Sequence, residues 1–255
     1  MSVSWPHAFA VWRRSASMYR RTWKLTLLPN FFEPVFYLSA IGIGVGAYIE
    51  QMGGTSYIEF LAPGLVCVAA MNGASFEVTY NVFVRLHYEH AYDAMLTTPL
   101  EADDILIGEI AWAMTRVLIY GGSFFLAVAA FGLAPMPSAL LAIPVIPIAG
   151  LLFAVVGLAF TLRIPNMDLF SFYFTLFLTP LFLFSDVFFP IRERLAGPLL
   201  LVAELLPLLH PVRLARAAFE GAWSWTVAWD LAYVLIVSGA LLAWTRRAIR
   251  ERLIS

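Results

Sequence analysis

The chain has almost no lysine. Of its 16 lysines and arginines only Lys24 is a lysine, and it stands in Trp23-Lys24-Leu25. A phosphate-cradling loop of the form GxxxxGK[ST] requires a lysine behind its second glycine, so none can exist here and any ATP used is hydrolysed on another chain. Cysteine is equally scarce: Cys67 is alone in an apolar run, which excludes an intrachain disulfide and leaves the redox compartment unrevealed. Charged residues make up 13% of the 255 positions, against about 25% in an ordinary soluble domain. With 61% hydrophobic residues, a water-soluble fold would expose wide apolar patches. A net charge of -1 offers no electrostatic footprint for nucleic acid. HExxH, CxxC and GxSxG are all missing, and nothing has the look of a catalytic motif. Residues 1–15 hold neither a continuous apolar stretch nor a small-residue cleavage site, so the first apolar run is expected to be retained as a span.

What the chain has in abundance is long apolar runs. Six are recognisable: 25–49, interrupted by Pro29 and Glu33-Pro34, then 57–84, 105–131, 139–162, 169–189 and 226–244. Each is close to or above the roughly 20 residues needed to cross a hydrocarbon core of about 30 Å. The expected fold class is therefore an all-α integral membrane protein, with six transmembrane helices in a single domain over 1–255. Ahead of the first run, residues 4–23 put Trp5, Phe9, Trp12, Tyr19 and Trp23 on one helical stripe and Arg13, Arg14, Arg20, Arg21 and Lys24 largely off it. That division predicts a helix lying in the membrane interface, its polar face toward anionic headgroups. Gly42, Gly44 and Gly46 permit close helix approach.

Residues 190–225 are neither a clean span nor a clean loop. Their apolar part, Leu195–Leu209, is broken by Pro198, Glu204 and Pro207 and is too short to cross. Two re-entrant half-helices are expected there, a region that takes in Phe189, Pro190, Pro207, His210 and Pro211. Six spans put both termini on one side. Arginines crowd both termini, so the positive-inside rule puts them in the cytoplasm, with 85–104 on the same side and 190–225 facing outward. Trp223, Trp225 and Trp229 read as an outer aromatic belt. No inverted internal repeat of the secondary-transporter kind is recognisable.

The polar stretch 85–104 is the longest charged insert on its side. Tyr88, Ala91, Tyr92, Met95 and Leu96 follow a helical period, with His87, Glu89, His90 and Asp93 mostly on the other faces. Thr98-Pro99-Leu100-Glu101 reads as a fresh helix start, with Thr98 as N-cap and Glu101 closing a capping box. The stretch thus reads as a short amphipathic helix that receives force from a cytoplasmic partner. His87, His90 and Asp93 have a spacing that could share a metal, but such residues on a cytoplasmic helix ordinarily form its wet face, and no metal is expected.

Glu77, Glu109 and Arg116 lie at membrane depth, where ionisable groups are paired or functional. Similar depths on neighbouring spans predict a Glu77–Arg116 pair, with Glu109 nearer the surface. Span five is crowded with aromatics, and Phe170, Tyr173, Phe174 and Phe177 are candidates to line a transport path. Plain core and lipid packing is the competing explanation for most of them.

Several short motifs recur in a fixed order: Glu33-Pro34 with Tyr37-Leu38, Tyr57-Ile-Glu-Phe-Leu-Ala-Pro-Gly-Leu65, Met71-Asn72, Thr97-Thr98-Pro99-Leu100 and Gly108-Glu109-Ile110-Ala111-Trp112. Ser185-Asp186-Val187-Phe188-Phe189-Pro190 and Leu206-Pro207-Leu208-Leu209-His210-Pro211 follow. In this set the chain resembles, nearly end to end, the permease subunits of type-2 ABC exporters, and among them the nodulation-factor, or lipooligosaccharide, exporter permeases. The resemblance implies a permease that pairs as a homodimer and binds two copies of a cytoplasmic ABC ATPase, which carries the ATP and Mg. No cofactor is implied on this chain. It also implies that Arg85–Leu96 is the coupling helix, so Arg85, His87, Tyr88, Glu89, His90, Tyr92 and Asp93 are the expected ATPase-coupling residues. The expected role is export of a lipid-linked, glycolipid or other amphipathic substrate across a bacterial inner membrane. A secondary transporter or channel would instead need repeats or a denser line of buried charge. An integral-membrane lipid or glycosyl transferase would need a cluster of acids or histidines at the membrane surface.

Overall fold

The computed structural model describes residues 3–46, 48–49, 51–52, 54–194 and 196–254, with backbone alone for 25–31, 193–194 and 254. It is an all-α integral membrane protein whose described strands are one small hairpin, Gln51–Met52 paired with Thr55–Ser56. Five helical stretches are long and apolar enough to cross a membrane, and a sixth if a bent pair counts as one span.

The first finding departs from the sequence-based expectation. The segment 4–23 and the first apolar run share one helix, α1, Trp5–Ile43. Pro6 sits in its first turn, where a missing N–H costs nothing. The first half of α1 packs lengthwise along α5, Ala102–Ala130. The Ser4 amide donates to Asp104 at 2.8 Å, the Trp12 indole donates to Thr115 at 2.9 Å, and Tyr19 meets the Trp112 ring edge-on. Gly108 makes this approach possible, because a Cβ there would stand 2.5 Å from Val11 Cβ and 2.7 Å from the Ala8 carbonyl. The expected lone interfacial helix is instead one partner of a packed pair, with Ala8, Val11 and Ser15 buried.

The second span is composite. It runs through α2, Tyr57–Phe76, a π-helical turn, Glu77–Asn81, and α3, Val82–His87. A short helix, α4, Ala91–Leu96, then leads to α5. The predicted start at Thr98 is corrected: α5 begins at Ala102 with Glu101 as N-cap, and the Glu101 amide donates to Asp104 at 3.1 Å. Asp104 therefore receives backbone N–H groups at the starts of both α1 and α5, where a carboxylate is favoured. Next come α6, Val145–Thr161, and a fifth span made of α7, Phe170–Phe172, a second π-helical turn, Tyr173–Leu178, and α8, Thr179–Phe184.

After the small helix α9, Ile191–Arg194, the interrupted region folds as α10, Pro198–Glu204, and α11, Leu209–Glu220, bent by 80°. Pro207 lies in the bend, which a residue without an amide proton tolerates. The last helix, α12, Trp225–Ile254, continues through the arginines that close the chain. Arg246 and Arg250 both donate to Asp103, with 3.0 Å from Arg246 Nε and 2.8 Å from Arg250 Nε. Since Ser4 is tied to Asp104, the first and last described helices both reach the end of the bundle where α5 begins, called here the terminal end.

Candidate functional site

The site grows from a distortion of the second span. A π turn carries one extra residue and leaves a carbonyl without its regular partner, a feature often found at functional positions. Here the Val78 carbonyl accepts the Thr161 hydroxyl at 2.8 Å. Gly157 lets α6 come close, since a Cβ there would lie 2.4 Å from Val78 Cγ2. In the π turn of the fifth span the Phe174 carbonyl accepts both the Thr179 amide and, at 3.0 Å, the Thr179 hydroxyl. The two distorted spans meet: Ser75 and Tyr173 hydroxyls are 3.2 Å apart, and Phe174 stacks on Phe76 with centroids 4.8 Å apart.

The π turn aims Glu77 into a buried network. Arg85 Nη2 donates to Glu77 Oε1 at 2.8 Å and to Glu109 Oε2 at 2.8 Å. Asn81 Nδ2 donates to Glu77 Oε2 at 2.8 Å, and Arg116 Nε approaches the same oxygen at 3.6 Å. Arg116 lies over the Tyr19 and Tyr120 rings, 4.7 and 5.0 Å from their centroids. Glu77 and Arg116 thus stand together, but the nearer cation to Glu77 is Arg85. Glu109 is not a separate surface group; it is a member of the same network. Two arginines and two glutamates balance, which is what allows four charges to be taken out of water together.

Tyr92 closes the chain from α4. Its phenol donates to Glu109 Oε1 at 2.9 Å, and its side chain is only 1% exposed. Burial, with the Glu109 carboxylate beside it, pushes the phenol well above the usual tyrosine range, so it stays protonated and donating. A contact between Tyr92 and a partner chain is therefore corrected, and the buried Arg85 cannot present its side chain to one either. The cause is His90, the N-cap of α4, whose left-handed backbone, φ 48°, turns the chain after α3 and swings α4 back toward α5. The predicted continuous coupling helix is two pieces. Tyr88, Glu89, His90 and Asp93 remain exposed on the terminal end; Arg14 holds Glu89 at 3.3 Å, and His90 meets Asp93 at 3.0 Å. His87 packs against Phe83, with ring centroids 4.1 Å apart.

Two cavities adjoin this network. One, of about 630 Å³, lies between α1, α5 and the π turn, and Ser15, Tyr19, Glu77, Arg85 and Arg116 line it. The other, of about 310 Å³, lies further from the terminal end and is walled by Glu33, Asn72, Phe174 and Phe182 among others. Phe76 and Tyr120 belong to both linings. Of the four aromatics predicted for a path, only Phe174 lines this pair of cavities. Phe170 is fully buried against Phe83, Tyr173 is in the core, and Phe177 lines a groove with Val237 and Trp244 of α12.

At the opposite end, Phe189 packs on the small cluster of Ile191, Ala203 and Leu209, and Pro190 leads into α9. His210 lies in the first turn of α11. Its Nδ1 lies 2.7 Å from Asp230 Oδ1, its Nε2 3.1 Å from the Glu204 carbonyl, and Tyr233 stacks on it. Cys67 donates to the Pro211 carbonyl, whose own helix packs on α2. Trp223, Trp225 and Trp229 are exposed on the same side, as an aromatic belt requires. The partners Asp230 and Arg213 were not singled out from sequence, and Glu204 was read only as a break in an apolar run; their signal was being charged within apolar surroundings.

A bundle of membrane-length helices around a neutral buried charge network is the build of a polytopic membrane transport protein. Sequence comparison gives the family: the chain belongs to the ABC-2 type transporter family, which matches residues 6–219. It is 38% identical over 220 residues to nodulation protein J of Rhizobium leguminosarum bv. trifolii, covering 86% of this chain and 82% of that protein. It is also 38% identical to nodulation protein J of Sinorhizobium fredii, over 82% of this chain and 79% of that one. The inner membrane transport permease YadH of Escherichia coli is 25% identical over 48% of this chain and 47% of its own length. The chain is accordingly an ABC transporter permease, a class of transmembrane subunit that associates with an ABC ATPase.

Proposed function

We propose that the chain is the membrane-spanning subunit of an ATP-driven exporter of amphipathic molecules such as glycolipids or lipid-linked compounds. Two copies pair and carry two copies of a cytoplasmic ATPase, which holds ATP and Mg. The terminal end faces the cytoplasm of a bacterium, because Arg14, Arg246 and Arg250 from the two ends of the chain are held there and cytoplasmic ends of spans are enriched in arginine. The observation that carries the reading is the unbroken chain of contacts Tyr92–Glu109–Arg85–Glu77–Arg116 from α4 to the larger cavity. Exposed Tyr88, Glu89, His90 and Asp93 meet the ATPase. Displacement of α4 then pulls on Glu109 and shifts Arg85 between its two carboxylates, which moves the wall of the cavity.

The test is co-expression with the adjacent ATPase, purification of the complex, and ATPase assay with and without the permease. Glu89→Lys with Asp93→Lys is expected to abolish the permease-dependent response while the permease remains in the membrane. A permease that ignores the ATPase and still moves solute would sink the proposal.

A further inference from the structure

The larger cavity holds more hydrogen-bonding capacity than the charge network uses, and the surplus includes two guanidinium N–H groups. Ser15 Oγ, Tyr19 OH, Arg85 Nε and Arg116 Nη1 are buried without a partner, and all four residues line the cavity. The carboxylates of the lining are already engaged by the chain's own donors: Glu77 Oε1 receives Arg85, Glu77 Oε2 receives Asn81, and Glu89 Oε2 receives Arg14. A buried N–H group left without a partner is costly, so the two guanidinium groups call for an occupant that brings acceptors. A polyol brings no charge to complement a guanidinium group. A phosphodiester brings unprotonated oxygens only, and arginine suits phosphate in geometry and charge. The mouth is bordered by Met18 and Thr22 of α1, and the same helix exposes Arg13, Arg20, Arg21 and Lys24. Such a basic rim gathers anionic headgroups.

We propose that this cavity binds the phosphodiester headgroup of a bilayer phospholipid, held between α1 and α5 by Ser15, Tyr19 and Arg116. The lipid is a fixed component of the permease and braces α1 against the charge network. This inference does not depend on the exporter reading, since the site exists in the single chain.

The experiment uses the full chain purified in detergent and titrated with phosphatidylglycerol or with galactosyl-diacylglycerol of the same acyl chains, read by native mass spectrometry. One phosphatidylglycerol is expected to stay bound per chain, with the galactolipid at least tenfold weaker. Ser15→Ala with Tyr19→Phe removes two hydroxyls and no bulk, and is expected to weaken phosphatidylglycerol about tenfold or more while the protein still elutes as wild type. Equal retention of the two lipids, or an unchanged affinity in the double variant, overturns the phosphate site. Protein taken from cells that carries a phosphate-bearing lipid which phosphatidylglycerol cannot displace overturns the assignment to a bilayer lipid and points to cargo. Because lipid retention is read without ATPase or transport, a permease that couples normally but holds no phospholipid refutes this site alone.

Discussion

The phenol of Tyr92 donates a 2.9 Å hydrogen bond to Glu109, joining a surface helix to a buried carboxylate 17 residues further along the chain. Tyr92→Phe keeps the ring's packing and removes only the donor. Glu109 is then left with Arg85 as its one bonded partner, at a cost of about 1–3 kcal/mol for the acceptor left unsatisfied. The expected outcome is a lower thermal midpoint in detergent and ATPase activity that no longer responds to the permease. If the variant melts as wild type and couples fully, the contact has no part in transmission.

Arg85 is shared by two carboxylates, and the balance of charge predicts an asymmetry between single and combined changes. Arg85→Met strands Glu77 and Glu109 against each other in a buried place, where removing one member of an ion network costs about 3–5 kcal/mol. Combining it with Glu77→Gln and Glu109→Gln removes the stranded charges and is expected to restore most of the stability. Thermal unfolding of the two variants side by side checks this, and a triple variant no more stable than the single one would show that the network does not act as a unit.

These two relationships also mark the limit of what could be read from the chain. The last five spans were legible because apolar runs of sufficient length have few other fates in a membrane, whereas the first run, 25–49, supplies among the described residues only the shorter apolar stretch Phe32–Ile43; the broken pair at 198–220 was legible from its prolines. The Glu77–Arg116 neighbourhood followed from depth alone. The central role of Arg85 did not, because it depends on a π turn whose extra residue rotates Glu77 toward it, and no propensity marks such a turn. Tyr92 was misjudged for a related reason: its helical period was read correctly, but the left-handed turn at His90, a conformation that side chains seldom adopt, reversed which way that face looks. The single helix α1 was hidden by Arg-rich and apolar halves that suggest two elements, while Gly108, which holds one half against α5, read as an ordinary small residue.

Gly108 supplies a direct test of that packing. A side chain there meets the Ala8 carbonyl and Val11 Cβ, and neither backbone nor β-carbon can move without shifting α1. Gly108→Val is expected to destabilise the protein by about 1–3 kcal/mol, as overpacking does, and to raise the reactivity of a cysteine placed at Ser15 toward a water-soluble maleimide. Unchanged labelling would mean that the two helices do not hold each other as described.

The aromatic residues of the fifth span separate into two roles that mutation can tell apart. Phe170 is fully buried among Phe83, Phe160 and Tyr80, so Phe170→Ala opens a cavity and costs on the order of 3 kcal/mol in lost packing. Phe174 is only partly buried and faces the smaller cavity beside Glu33 and Asn72, so Phe174→Ala enlarges that space at a smaller cost. The expected pattern is a depressed thermal midpoint with proportionate loss of folded protein for Phe170→Ala. For Phe174→Ala a near-normal yield is expected, with a changed rate of transport per folded molecule. Transport and melting measured on both variants decide the matter: if both lose activity only in step with stability, the cavity wall carries no substrate and the span serves packing alone.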